Sequence, residues 1–169
     1  MQIREKNWSA HRLLDWVREA HTLCRAAGVP LIVNDSVEVA VAAGADGVHL
    51  GQEDLAPAEA RRILGPGKWI GWSTHDLEQL ERAAQDTAVD YVGFGPAFAT
   101  ATKGISEGLG PDRVRSAAVR AAEAGLPLLA IGGITVENRG LLGGNLGIAV
   151  SSALCRAADP EASARCLGA

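Results

Sequence analysis

The chain has 169 residues, 47% hydrophobic and 21% charged, proportions that suit one soluble globular domain with a sizeable core spanning residues 1–169. A formal net charge of -4 argues against a nucleic-acid partner, and no apolar run is long enough to span a bilayer. No signal-peptide pattern opens the sequence, and Cys24, Cys155 and Cys166 are scattered without metal-ligand spacing. These features lead us to expect a cytoplasmic protein whose cysteines are small core or helix-face residues.

Met1 to Lys6 reads as a strand running straight into polar residues. A helix is expected from about Ser9 to Ala27, where Leu13, Trp16, Val17, Ala20, Leu23 and Cys24 keep helical spacing. Gly28 suits a left-handed stop, and Pro30 blocks continuation. Strand 30–33 ends in Asn34-Asp35, Ser36 caps a helix over 37–43, and Gly44 closes it. Strand 47–50 ends in Gly51-Gln52-Glu53-Asp54, and a helix follows over 57–64 with Gly65 as its stop. Strand 69–72 ends in Ser73-Thr74-His75, before a helix from 76 to about 85. Strand 89–94 leads to Thr100-Ala101-Thr102-Lys103. A helix over 111–124 starts on Pro111 and stops at Gly125. Strand 127–131 ends in Gly132-Gly133, and a weak helix is expected from Thr135, diluted by Gly140, Gly143 and Gly144. Strand 146–150 ends in Ser151-Ser152, and a last helix starts with Asp159 as cap and Pro160 at its first position.

Seven apolar strands alternate with helices, and their lack of polar alternation indicates burial on both faces. This is the pattern of a parallel sheet covered by helices. An open doubly wound sheet usually focuses its ligand at one switch point, whereas here nearly every strand carries polar groups at its carboxyl end. That distribution suits a ring, so the expected fold is a TIM-type (β/α)8 barrel lacking its first βα unit. The loss is expected at the N-terminus, because the loops after the last two strands already have the glycines and serines of a barrel phosphate site.

Several of these carboxyl-end residues carry chemistry. Thr100, Thr102 and Lys103 offer two hydroxyl donors and an ammonium, which can grip a phosphorylated ligand or simply form a polar loop. Asp35 and Asp54 follow neighbouring strands and can share a divalent cation, magnesium above all, or serve as a turn residue and a helix cap. Arg4, Lys6 and Lys103 direct three cations at the same end of an acidic protein, which implies a polyanionic ligand. Asn34 can make a two-point contact with a ring edge or stabilise its own turn, and Ser73 is a candidate hydrogen-bonding group. His49 reads as a core histidine and His75 as a helix-start residue.

The ordered set Gln2 to Lys6, Asn34-Asp35, Gly47 to Leu55, Gly71 to His75, Gly93 to Pro96, Thr100 to Lys103 and Ala130 to Thr135 resembles the thiamine-phosphate synthase family over almost the whole chain. The resemblance implies a barrel enzyme that joins a pyrimidine diphosphate, 4-amino-2-methyl-5-(diphosphooxymethyl)pyrimidine, to a thiazole phosphate, releasing pyrophosphate and giving thiamine phosphate. It implies that Gln2, Ile3, Arg4, Glu5, Lys6, Asn34, Ser73 and Lys103 hold the pyrimidine diphosphate. Asp35 and Asp54 would bind Mg2+. Thr100, Ala101, Thr102, Gly133, Ser151 and Ser152 would hold the thiazole phosphate. Arg4, Lys6 and Lys103 would then act in catalysis by countering leaving-group charge. A homo-oligomer is compatible with this reading, and neither membrane nor nucleic acid is expected as a partner.

The sequence also departs from the family pattern. Ala99 and Ala101 stand where the family's loop usually has prolines, Ser36 where it often has a basic residue, and Ser151 where it usually has an aliphatic one. Two other readings compete: a thiazole tautomerase on the same barrel, and a non-catalytic binder of phosphorylated ligands. Asp35, Asp54, Gln2 and Lys103 together argue against the tautomerase.

Overall fold

The computed structural model describes residues 1–100, 104, 106–143 and 146–168. The chain divides into two compact units, one formed by 1–73 and 85–91, the other by 74–84 and 92–169. Among the described residues, no helix is long and apolar enough to cross a membrane.

In the first unit, β1 (Gln2–Ile3), β2 (Ile32–Asn34), β3 (Gly47–Leu50) and β4 (Trp69–Thr74) lie in sequence order. All three pairings are parallel, with Gln2 opposite Ile32, Asn34 opposite His49 and His49 opposite Gly71. Strand β1 is shorter than the expected span 1–6, because Glu5 bends the chain locally by accepting a hydrogen bond from the Asn7 amide at 3.1 Å.

Helix α1 (Ala10–Ala26) starts where Ser9 accepts from the Arg12 amide and ends before Gly28, whose φ is 65°. Loss of such a cap typically costs about 1 kcal/mol. Helix α2 (Val37–Ala43) is capped by Ser36 and stopped by left-handed Gly44. Helix α3 (Pro57–Leu64) uses proline in its first turn. The buried face of α1, Leu13, Val17 and Cys24, joins Leu31, Val33, Val37, Val39, Val48, Leu50 and Ile70 in one apolar cluster. Full burial of each Val or Leu side chain there contributes roughly 1.5–3 kcal/mol.

Arg61 of α3 ties down the amino ends of the neighbouring strands. Its guanidinium donates to the carbonyls of Gly65, Lys68 and Ala88 and pairs with Asp90 at 2.6 Å. The same Asp90 oxygen accepts from the Ile70 amide.

The second unit carries α4 (Leu77–Gln85) up to residue 84, most of β5 (Tyr91–Phe94), α5 (Pro111–Glu123), β6 (Leu128–Ile131) and β7 (Gly147–Ala149). Phe94 lies opposite Ala130, and Ala130 opposite Ile148, again in parallel. Phe94, Val92, Val114 and Ala130 are buried. Helix α7 (Pro160–Gly168) has the expected cap, Asp159 accepting from the Ala162 amide at 2.9 Å.

Two expectations are corrected here. The weak helix from Thr135 is instead a single 3-10 turn at Arg139–Leu142. Asn138 takes over the local backbone: its Oδ1 accepts from the Thr135 amide and its Nδ2 donates to the Gly133 carbonyl, a local closure that competes with an α-helix. Strand β7 is shorter than 146–150 and is not buried on both faces, since Gly147 is exposed and Ile148 and Ala149 are half-buried. Moreover, Ser152 begins a four-residue helix, α6 (Ser152–Cys155), where no helix is expected.

The fold is nonetheless the one expected. Seven strands, parallel in every pairing described above, alternate with helices in the TIM-type order.

Candidate active site

The carboxyl ends of β1, β2 and β3 gather an ionic cluster. Lys6 follows β1 and places Nζ 3.6 Å from Asp35 Oδ2. Asp35 follows β2 with φ of 66°, the left-handed region that Asp and Asn tolerate better than most residues. Its amide donates to the His49 carbonyl at 2.8 Å, which fixes the turn to β3.

Asp54, after β3, does not cap α3. That helix starts on Ala56 without a side-chain cap, and the Asp54 carboxylate turns back to accept from the Gly51 amide at 2.6 Å. A side chain at Gly51 would stand 2.9 Å from the Asp54 carboxylate, so glycine is what lets this turn close.

The Asp35 carboxyl is held above its ordinary range. Burial is the main cause, followed by its hydrogen bond with Asp54 and the charge of Asp54; Lys6 and Arg4 pull the other way. Two carboxyl groups thus act on each other, under the influence of two cations. Hard oxygen donors in this number fit magnesium, which commonly takes one or two carboxylates and completes its shell with water and substrate phosphate. Among the described residues there is no cluster of three or more His, Cys, Asp or Glu side chains arranged to hold a metal ion.

Of the other residues expected at the pyrimidine diphosphate, those described stand in or near the ends of β1, β2 and β4, whereas Lys103 lies outside the described residues. Gln2 and Ile3 form β1 itself, Glu5 and Arg4 follow it, and Asn34 ends β2, half-buried. Ser73, near the end of β4, is fixed twice. Gln52 Nε2 donates to its carbonyl at 2.6 Å, and His49 Nε2 lies 2.9 Å from its hydroxyl. His49 is a core histidine as expected, yet it is bonded to a candidate site residue.

In the second unit, the loop after β5 is held by backbone. The Ala97 amide donates to Ile131, Phe98 to Gly132, Leu109 to Pro96 and Gly110 to Ala97. Thr100 is half-buried in this loop, whereas Ala101, Thr102 and Lys103 lie outside the described residues. Gly133 follows β6 with φ of 65°, and a Cβ there would collide with the Phe98 and Ala99 carbonyls. The structure therefore brings Gly133 against the loop that carries Thr100. Ser151 and Ser152 sit exposed at the start of α6.

Gln52 is expected only as a polar group after β3, and neither Tyr91 nor Gly71 carries an expected site role of its own. One signal was available: a glycine inside a strand, between Ile70 and Trp72, marks a close approach by a neighbour. A Cβ at Gly71 would collide with the Tyr91 ring and the His49 imidazole.

The chain matches the family model described as thiamine monophosphate synthase over residues 1–154. A thiamine-phosphate synthase of Chlorobium luteolum is 45% identical over 170 residues, covering 99% of this chain and 78% of the relative. Another, from Chloroflexus aurantiacus, is 45% identical over 172 residues, covering 100% of this chain and 77% of the relative. The solved thiamine phosphate pyrophosphorylase from Pyrococcus furiosus superposes with a TM-score of 0.86 at 33% identity, over 98% of this chain and 79% of its own. With this match from strand β1 to helix α6 and relatives 45% identical over nearly the whole chain, the chain belongs to the thiamine monophosphate synthase family.

Proposed function

We propose that the chain condenses the pyrimidine diphosphate with the thiazole phosphate to give thiamine phosphate, in a magnesium-dependent reaction that releases pyrophosphate. The observation that carries this reading is the Lys6–Asp35–Asp54 cluster, with Arg4 acting on Asp35. A cation site built from two carboxylates and flanked by ammonium and guanidinium groups suits a diphosphate better than a neutral ligand.

Breaking the carbon–oxygen bond to the diphosphate leaves positive charge on the aminopyrimidine and negative charge on the leaving group. Magnesium held by Asp35 and Asp54 would neutralise part of that negative charge. Arg4, Lys6 and Lys103 are assigned the remainder, as cations that would counter the developing charge. Gln2, Asn34 and Ser73 are assigned to orienting the pyrimidine. Thr100, Thr102, Gly133, Ser151 and Ser152 are assigned to holding the thiazole phosphate, whose ring nitrogen then captures the pyrimidine carbon. Holding two partners in line converts a bimolecular step into an effectively unimolecular one.

The test is product formation by the purified chain with both phosphorylated substrates, with and without magnesium. Thiamine phosphate and pyrophosphate in equal amounts, only with the metal, are expected. Folded chain that binds the pyrimidine diphosphate without forming product would overturn the synthase reading in favour of a binder.

A further inference from the structure

His49, Tyr91 and Ser73 form a chain of hydrogen bonds within the first unit. Tyr91 Oη lies 3.1 Å from His49 Nδ1, and His49 Nε2 lies 2.9 Å from Ser73 Oγ. His49 is only 7% exposed, and its ring centroid is 5.5 Å from that of Tyr91. The two rings meet where Gly71 stands in β4, opposite His49 in register. Any side chain at Gly71 would occupy the place of the Tyr91–His49 bond. Ser73 lies two residues further along the same strand, on the same face, since side chains alternate.

Burial, with a smaller effect of Asp90, pushes the Tyr91 phenol well above its ordinary range, so it remains a protonated donor. A neutral imidazole has one donating and one accepting nitrogen, and the partner of one nitrogen sets the role of the other. We propose that Tyr91, reaching over Gly71, donates to His49 Nδ1 and so holds His49 as the Nε2–H tautomer. His49 then donates to Ser73 Oγ, leaving the Ser73 hydroxyl proton to be donated to an acceptor on the pyrimidine diphosphate. His49 is a positioning residue, as is Tyr91, and Gln52 fixes the same serine from its carbonyl side. The role of the relay rests on the assignment of Ser73 to that substrate, whereas the tautomer does not.

Two measurements test it. The first is the nitrogen NMR spectrum of histidine-labelled protein, with His49 assigned by the His49→Gln variant. The expected wild-type signal is that of an Nε2–H imidazole, and Tyr91→Phe should shift it toward a tautomer mixture. A wild-type Nδ1–H signal overturns the proposal.

The second is steady-state kinetics. Tyr91→Phe should lower kcat/KM for the pyrimidine diphosphate about tenfold, at the lower end for residues that orient a contacting group, with KM for the thiazole phosphate unchanged. In a Ser73→Ala background the same change should add nothing further. An equal loss in both backgrounds, or a parallel shift in both KM values, makes Tyr91 merely structural and overturns the proposal. If wild-type protein forms no product, the functional reading falls, and the tautomer spectrum still decides the relay.

Discussion

The two units organise their candidate chemistry in opposite ways. In the first, side chains act on side chains: Lys6 pairs with Asp35, Asp54 raises the Asp35 carboxyl, and His49 links Tyr91 to Ser73. In the second, the decisive positions are those where no side chain fits. Gly95 packs against the Ile131 carbonyl, Gly108 against Phe98, Gly132 against Pro96 and Gly133 against the 98–99 backbone. Charged, bonded side chains can counter a leaving group whose charge changes during reaction. Close-packed glycine backbone instead fixes the loops after β5 and β6 against each other, which suits a group whose charge stays constant.

The largest effect should come from breaking the ionic arrangement. Asp35→Ala is expected to reduce turnover by about 10²-fold or more and to abolish the response to magnesium, as read from initial rates across a metal titration. A magnesium response that survives unchanged would remove the metal assignment.

Next is Gly133→Ala, which tests the glycine half. The left-handed φ and the crowding by Phe98 and Ala99 should displace the loop that carries Thr100. We expect KM for the thiazole phosphate to rise about tenfold, by loss of uniform binding, while KM for the pyrimidine diphosphate stays close to wild type. A selective rise in the pyrimidine KM would reverse the division of labour between the units.

A smaller effect sharpens the picture of the first unit. Because the Lys6 charge lowers the Asp35 pKa, Lys6→Met should raise that carboxyl still further, as read from a carbon NMR titration. No movement would mean that the pair contributes little to the cluster.

The smallest concerns Tyr91. Its proton is held more tightly in the folded chain than in the unfolded one, so its stabilising contribution is complete below the ordinary value of 10.0 and is lost as pH rises above it. Denaturant midpoints should therefore decline above that pH, and Tyr91→Phe should flatten the decline.

How much of this was legible in the sequence depended on the range of the forces involved. Helix ends are local, and Ser9, Ser36, Gly44, Pro57, Pro111 and Asp159 mark them through caps, left-handed stops and fixed φ. The TIM-type order was equally plain, because each βα unit repeats its own apolar run and stop. Two local competitions were missed: Asn138 capturing the backbone that an α-helix from Thr135 would need, and Ser151-Ser152 leading into α6. Asp35 and Asp54 were legible as a pair through their places after adjacent strands, but Asp54 bonding Gly51 instead of capping α3 was not. The Tyr91–His49–Ser73 relay lay furthest from view. It depends on the register that sets His49 beside Gly71, and register is fixed only when strands pair.

The Arg61 clamp sits at the amino ends of β4 and β5, whereas Asp35, Asp54 and Ser73 stand at or after the carboxyl ends of their strands. One planar guanidinium reaches three carbonyls and a carboxylate, a fan that the single nitrogen of lysine cannot match. The clamp and the candidate chemistry therefore stand at opposite poles of the strands. A change at Arg61 would be felt at four partners at once at those amino ends, and through Asp90 it would also reach Tyr91.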